Sequence, residues 1–554
     1  MPTNNTTGNT EVDNVRVRMY CHGFGDCFLL TYCNDNTPAY RMLIDCGMLT
    51  GKPDLMKEAI MNIKKDCNDH LDLVVQTHEH KDHVSGFNIK DSGKLLWDTI
   101  QVDNVWLAWT ENIGPAGDGL ANQLKEKQNK KTKALANAIG LYKKATNSQE
   151  HRTMLMNEYR GGEYLAAQDR YTGALEQLLT FYDIEIDKEF QPVNGDERQA
   201  LNSDNKRLTI GEAMNYFIGR KGNNTLIPEK RPGVNFWNPG EIAGENETGL
   251  KGINFYFLGP PKDYNKLRVM EDNAHVEMYI TDMGLSENFY LALDTDENDG
   301  QKLSPFHSRY ILKTENKLSA LKFKEEDEDH VWNLYHSKDN GWRTIEIDWL
   351  HNTGALALHL DSYTNNTSLA FAIEFEKSGK VLLFPADAQI GNWLSWTETA
   401  TDDKELKLKW PVNKNGIKEI VTVEQLLNRT VFYKVGHHGS DNATAKKHGL
   451  ELMTSEDLVA MIPVDEEVAK KQGKKGWKMP AEDLYKRLQE KTKGRIIRLD
   501  KGNILDHPEE LFQAANPTKK QIDIFKGQIT TSETQIEYDT DKKRPLYYEY
   551  RIDG

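Results

Sequence analysis

The segment Thr77-His78-Glu79-His80-Lys81-Asp82-His83 constrains this chain more than any other. It directly follows residues 71–76, an apolar run with the length and character of a buried strand. Three histidines and two acids fall within the six positions 78–83, on a strand-to-helix loop. His78 and His80 alternate, so both can face one metal ion, while Asp82 and His83 turn toward a second position beside it. Imidazole and carboxylate are ordinary zinc ligands, and an open site keeps a place for water. A polar loop with surface histidines would account for one such residue, but not for this density behind a buried strand.

The rest of the composition sets limits. The chain has 554 residues, enough for a large core or for one domain with sizeable insertions. Lys and Arg number 70 against 85 Asp and Glu, a net charge of −15. Such a protein has no global attraction for nucleic acid or anionic membrane, so any polyanion site must be a local basic patch. No stretch reaches the roughly 18 apolar residues of a membrane span, and residues 1–14 lack the apolar core of a secretory signal. Cys21, Cys27, Cys33, Cys46 and Cys67 are odd in number and form no Cys-x-x-Cys pair. They read as buried free thiols of a cytoplasmic, reducing compartment.

The pattern along the chain is strand-rich at 15–20, 27–32, 40–44 and 102–109, with a helix over 54–65. From 121 to about 182 the texture becomes helical and Lys-rich, and 183–250 is polar and irregular. Strand texture returns at 252–258 and 289–293. A hairpin is predicted from 368–375 and 381–384. Helices are predicted at 423–427, 443–453 and 480–491, and strands at 430–435, 458–464 and 494–499. The tail reads as an appended β segment. One discontinuous catalytic domain follows, with core halves at 15–109 and 366–500. Between them lie a mainly helical insertion at 110–250, then core strand and a second irregular insertion at 251–365. A β-rich extension covers 501–554.

A second histidine group, Lys434-Val435-Gly436-His437-His438-Gly439-Ser440, follows the strand at 430–435. Histidines at a strand end can be metal ligands, phosphate contacts or general acids, and the choice between His437 and His438 is open. Lys434 either sits under such a site or points to solvent. Asp387, after 381–384, is either a ligand or a strand-end cap.

His-x-His-x-Asp-His after a strand resembles the metallo-β-lactamase superfamily, and other segments agree in order. Gly23-Phe24-Gly25-Asp26-Cys27 is similar to a Gly-x-Gly-Asp-Ala turn. Leu43-Ile44-Asp45-Cys46-Gly47 resembles a strand ending in Asp-x-Gly. Asn366-Thr367-Ser368-Leu369, Phe384-Pro385-Ala386-Asp387 and the His437–His438 segment resemble three further motifs. The branch resembled is the C-terminal hydrolase domain of ComEC-type DNA-uptake proteins. The resemblance implies an α/β fold, an αββα sandwich, carrying large helical and irregular insertions. It implies that His78 and His80 bind a first metal, Asp82 and His83 a second, and that Asp387 bridges them. Asp45 would orient the histidine loop by hydrogen bonds, or cap a turn. One or two Zn²⁺ ions are implied, with Mn²⁺ also accepted by such ligands. Two positions depart from the pattern. Gly259 stands where a third histidine is expected, with His275, His351 and His359 as substitutes, and Met479 stands where a last histidine is expected.

A metal in such a site activates water and polarises the substrate's oxygen, so the expected reaction is hydrolysis. Asp82 would hold the attacking water, and His437 or His438 would protonate the leaving group. The resemblance favours a phosphodiesterase or nuclease acting on DNA or another phosphodiester. Two Lys-rich stretches agree, one with Lys125, Lys127, Lys130, Lys131 and Lys133, the other with Lys470, Lys471, Lys474, Lys475 and Lys478. Ser440, Lys474, Lys475 and Trp477 are substrate-binding candidates, Trp477 as a base-stacking platform. Two other readings remain. One is a small-molecule hydrolase of a lactone, thioester or phosphoester, with the insertions as a lid. The other is a non-enzymatic interaction protein with a degenerate metal site. The insertions could also bind a protein partner or a second copy of the chain.

Overall fold

A computed structural model describes residues 10–49, 53–146, 232–267, 363–397, 407–471, 476–507, 517–539 and 542–554, less 415 and 416, and short pieces between 179 and 218. The chain is mixed α/β, as expected. In chain order, the first half supplies β1 (Asn14–Tyr20), β2 (Cys27–Asn34), β3 (Thr37–Cys46), α1 (Pro53–Asp66), β4 (His70–Val75), β5 (Gln101–Ala108) and α2 (Gly119–Thr146). Next come β6 (Gly233–Trp237), β7 (Ile242–Ala243) and β8 (Ile253–Phe257). Then follow β9 (Phe371–Phe375), β10 (Val381–Phe384), α3 (Ile390–Thr397), α4 (Val423–Asn428), β11 (Thr430–Lys434) and β12 (Val459–Ile462). The chain closes with α5 (Glu482–Thr492), β13 (Ile496–Arg498), β14 (Gly502–Asn503), α6 (Lys519–Gly527), β15 (Ile529–Thr531) and β16 (Tyr547–Asp553).

Two eight-stranded sheets carry the fold. Their orders are β6-β5-β4-β3-β2-β1-β16-β15 and β7-β8-β9-β10-β11-β12-β13-β14. Alternation along the strands explains how they meet. Phe255, Phe257, Ile373, Leu382, Phe384 and Met461 of the second sheet join Val17, Leu30, Ile44, Val75 and Trp106 of the first in one buried cluster. The intervening Tyr256, Ala372, Leu383, Tyr433 and Ala460 face the other way, onto Trp393 and Trp396 of α3, Leu427 of α4 and Leu484 of α5. Helix α1 covers the outside of the first sheet. Its Leu55, Met56, Ala59, Ile60 and Ile63 lie on one buried face, and Asn62 accepts from the Tyr20 hydroxyl at 2.7 Å. Trp106 anchors the seam between the sheets, its ring centroid 5.1 Å from Phe255 and 5.5 Å from Phe257. Such aromatic pairs add about 0.5–1.5 kcal/mol beyond the area they bury.

The strands β3, β4, β5 and β6 run parallel, as do β10, β11, β12 and β13. Parallel strands need both faces covered, and β11 is buried at all five positions. Both parallel sets end near one another, and loops at the carboxyl ends of parallel strands are where α/β sheets place their sites.

Three differences from the sequence reading have physical reasons. Residues 233–237 were expected to be irregular, yet β6 pairs in parallel with β5 and so belongs to the core. It is an edge strand with only Trp237 buried, so its sequence shows no clear alternation. The C-terminal β segment does not stand apart, because β16 pairs with β1 along its whole length and Tyr550 and Ile552 enter the core. Residues 443–453 form turns and a short 3₁₀ helix, Leu450–Leu452, instead of an α-helix. There Trp393 Nε1 takes the Ala443 carbonyl at 2.9 Å, and Gly449 packs against the Trp393 ring. The strand expected at 289–293 lies outside the described residues. All five cysteines are free and buried. Among the described residues no helix is long and apolar enough to cross a membrane.

Since β16 lies between β1 and β15, truncation after Gly527 should abolish cooperative unfolding. A truncated chain that melts within a few degrees of the full chain, by circular dichroism, would show that the core closes without this strand.

Candidate metal centre

The site assembles where β3, β4, β10 and β11 end. Asp45 is the penultimate residue of β3. His78 and His80 lie in the loop after β4, and Asp82 and His83 in the helical turn Lys81–Val84. Asp387 follows β10, and His437 and His438 follow β11. All are buried, and Asp82, His83, Asp387 and His438 each offer a ligand atom within 4.8 Å of the others. Close packing of three loops makes this possible. A side chain at Gly47 would collide with the backbone of Asp82 and His83, and the Asp26 amide donates to the Asp82 carbonyl at 2.9 Å. Asp45, Ala386, His437 and His438 hold positive φ of 54°, 52°, 44° and 53°. This conformation costs a non-glycine residue about 1–2 kcal/mol. Strain of this kind persists only where surrounding contacts enforce it, and it gathers at functional sites.

Hydrogen bonds settle which ring nitrogens are available. His83 Nδ1 is 2.7 Å from Asp45 Oδ2, and since a carboxylate only accepts, Nδ1 carries the proton. Nε2 then faces Asp387 Oδ2, 3.0 Å away, and with His83 charged it carries the second ring proton, donated to that carboxylate. His438 repeats the pattern, with Nδ1–H donating to the Pro463 carbonyl at 2.7 Å and Nε2 3.0 Å from Asp82 Oδ2. The Thr77 hydroxyl donates to Asp45 Oδ2 at 2.6 Å, so His78 Nδ1–H donates to Thr77 at 3.1 Å. That leaves His78 Nε2 facing His80 Nδ1 at 3.2 Å. Asp45 therefore fixes the orientation of His83 directly and the tautomer of His78 through Thr77, as carboxylates behind metal-binding imidazoles do.

Carboxylates gathered in a buried place repel one another unless protons or a cation lie between them. The described surroundings carry four buried carboxylates, Asp26, Asp45, Asp82 and Asp387, against the one ammonium of Lys434. Lys434 pairs closely with Asp26 and lies 3.6 Å from Asp387 Oδ1. Burial opposes a charge on His83, yet Asp387, Asp82, Asp45 and Asp26 raise its pKa well above the ordinary range. Burial also opposes a charge on Asp387, but His83 and His437 hold its carboxyl far below its ordinary value. The Oδ1 atoms of Asp82 and Asp26 are buried without a hydrogen bond. The donor set thus fits a divalent cation: two imidazole nitrogens, two carboxylates and an unsatisfied carboxylate oxygen. His78 and His80, whose pKa values burial lowers (His80 to about 4), stay neutral and add further nitrogens beside it.

The structure separates His437 from His438. His437 Nδ1 lies 2.8 Å from Ser440 Oγ, and its backbone amide donates to Asp387 Oδ1 at 3.1 Å. It is 8% exposed against 1% for His438, so it is the site's opening to solvent. Ser440 is buried and positions His437. Trp477 is half-buried, its ring 5.9 Å from Phe24, which lies 4.2 Å from the His438 ring. It is part of the wall, not an open stacking platform. Lys434 is buried beneath the centre. Gly259 packs against Asn392, and Met479 packs against the helices of the second sheet. Lys474, Lys475, His275, His351 and His359 lie outside the described residues. The sequence reading gave no role to Asp26, Thr77 or Tyr182. Asp26 was legible as the acid of the Gly-Phe-Gly-Asp turn. Tyr182, whose hydroxyl is 3.5 Å from His80 Nε2, comes from the insertion and carried no signal.

Compared with models of known protein families, with curated proteins and with solved structures, the chain matches none.

Two predictions follow from these contacts. Asp45→Asn keeps the shape but loses the charge and one of the two oxygens that accept from Thr77 and His83 Nδ1–H, so Zn²⁺ affinity should fall by about 10–100-fold. Chelator competition measures this, and wild-type affinity would make Asp45 a bystander. The second concerns acid stability. His22 is buried, its Nε2 is 2.8 Å from the Gly47 carbonyl, and burial lowers its pKa to about 4. The unfolded chain, near the ordinary 6.5, takes up this proton first. Stability from neutral His22 is complete above pH 6.5 and is lost as pH falls toward 4, by about 3 kcal/mol. Urea titrations should show a shallower acid loss in His22→Asn, and an unchanged slope would exclude His22 as a cause.

Proposed function

We propose that this protein is a metal-dependent hydrolase of the metallo-β-lactamase type, acting on a phosphodiester. The observation that carries this reading is the orientation of His83 and His438. Each has its Nδ1 proton tied to a fixed acceptor and its Nε2 facing a buried carboxylate at 3.0 Å, where a metal ion would take the place of the Nε2 proton. Two sheets packed face to face with helices outside each, and a site at the ends of both parallel sets, support the αββα reading. His83, His438, Asp82 and Asp387 would hold the ion, with His78 and His80 available to a second one. Zn²⁺ suits this nitrogen and oxygen set, and Mn²⁺ is also compatible. When bound, such an ion supplies Lewis acidity and an activated water. The chain's own residues do the rest. Asp82 Oδ1, free of other hydrogen bonds, can orient a water. His437 can take up a proton at Nε2, on the open side, and release it to a departing oxygen. Lys434 and Asp26 hold Asp387 and His438 in place from below.

The phosphodiester preference rests on the sequence resemblance, and one observation favours a small substrate over a polynucleotide. Tyr182 from the first insertion and Thr364 from the end of the second meet at 3.1 Å beside His80. Duplex DNA needs a groove lined by unpaired cations. Here Lys125 pairs with Glu79 of the histidine loop, and Lys470 pairs with Glu466 and Glu467.

With Zn²⁺ or Mn²⁺ present, the protein should cleave bis(4-nitrophenyl) phosphate, and Asp82→Ala or His83→Ala should reduce turnover by about 10³-fold or more with the fold intact. Activity retained in either variant, or in the presence of excess chelator, would sink the mechanism. Plasmid DNA should be cleaved far more slowly than the small diester.

A further inference from the structure

At the end of the sandwich away from the metal centre, the described residues line an open-sided pocket of about 230 Å³. It lies between α6, β16, the start of β11 and the turn before β13. Its apolar walls are Val431, Phe525, Tyr550 and Ile552, with Ile524 exposed at the rim. Its polar lining is Lys380, Asp457, Gln521, Gln528, Arg551, Asp553 and Arg495, and Arg495 is only 5% exposed.

Buried arginines elsewhere in the fold face carboxylates. Arg18 meets Glu549 at 2.8 Å, Arg498 meets Asp500 at 2.7 Å and Arg544 meets Asp465 at 3.0 Å. Arg495 differs. Its Nε donates to the Thr492 carbonyl at 2.8 Å and its Nη2 donates to the Glu456 carbonyl. Among the described residues it forms no ion pair, and Nη1 makes no hydrogen bond. The acids that line the pocket do not replace a partner. Asp553 takes the Arg551 Nε–H at 2.7 Å, and Asp457 is exposed to solvent. Lys380, the third cation of the lining, donates to the Asp553 backbone carbonyl at 2.8 Å. Burial lowers the Arg495 pKa, and the weaker pull of Tyr550, Asp457 and Glu456 does not offset it.

A buried cation with a free N–H group at one wall and an aromatic and aliphatic lining at the others defines a ligand chemistry. We propose that this pocket is a second binding site, for a small organic anion with one carboxylate or phosphate head and an apolar body. The head meets Arg495 by a charge-assisted hydrogen bond, and the body lies against Phe525, Tyr550 and Ile552. The site is separate from the metal centre, because Val431 stands at the start of β11 and the histidines lie beyond its end.

Isothermal titration of the full-length protein with 3-phenylpropionate tests this. One equivalent should bind, and acetate should bind about tenfold more weakly or worse, since it lacks the body. Arg495→Gln should weaken 3-phenylpropionate by about tenfold or more. Ile524→Glu sets a carboxylate at the rim without touching the core. It should weaken binding several-fold with an unchanged melting temperature, and it decides the matter should Arg495→Gln fail to fold. Asp82→Ala should leave binding as it was. No heat up to about 10 mM ligand would overturn the proposal. So would binding lost in Asp82→Ala, or binding indifferent to both Arg495→Gln and Ile524→Glu.

Discussion

The constraint on which the rest depends is the burial of Asp26, Asp45, Asp82 and Asp387 around His83, with Lys434 as the one buried ammonium among them. Isolated buried charges are not tolerated at this density. The fold answers in three ways. Asp45 is saturated by the Thr77 amide, the Thr77 hydroxyl and His83. Asp26 is matched by Lys434. Asp82 faces His438 Nε2, and Asp387 faces His83 Nε2 and accepts the His437 amide. The unsatisfied part of the network is therefore confined to one side, and it is the side that can accept a cation.

The two sheets make that confinement possible. Each contributes parallel strands that end at the same place, so acids and histidines far apart in sequence meet without long flexible loops. His83 and Asp387 are 304 positions apart and 3.0 Å apart in space. The cost is local: four non-glycine residues around the centre hold a left-handed backbone. The rigid core around Trp106 and the helices over the second sheet keep those residues in place, which is why a strained loop can persist there.

Much of this was legible in sequence because it obeys short-range rules. The strand before Thr77 is a run of apolar residues, and the histidines follow at a spacing with a direct geometric meaning. The resemblance of Leu43 to Gly47 to a strand ending in Asp-x-Gly left Asp45 either orienting the histidine loop or capping a turn, and its contacts to Thr77 and His83 are with that loop. What the sequence did not reveal depends on long-range pairing. Strand β6 lies at an edge and buries only one residue, so it resembles its irregular surroundings. Strand β16 has ordinary alternation, but nothing local says that its partner is β1, more than 500 positions earlier. The helix expected at 443–453 failed because Trp393 captures a carbonyl that a helix would need. Within the Lys-rich stretches, Lys125 and Lys470 have acidic partners, Glu79 and Glu466 with Glu467, that a local reading does not weigh.

The inserted segments deserve a different reading from the core. Gln128 of α2 donates to Thr364 at 3.1 Å, Tyr182 meets the same hydroxyl, and Lys125 pairs with Glu79. Three separate stretches outside the strand framework thus converge beside His80. Under the proposed hydrolase function, the core would supply charge and donors that serve any polarised ester equally well. Shape and polarity at the histidine face come instead from Tyr182 and Thr364, so selectivity should reside in the insertions. A chain can change such contacts without disturbing the buried acids, because they meet the centre at its rim and share none of the hydrogen bonds that fix Asp45, His83 and His438.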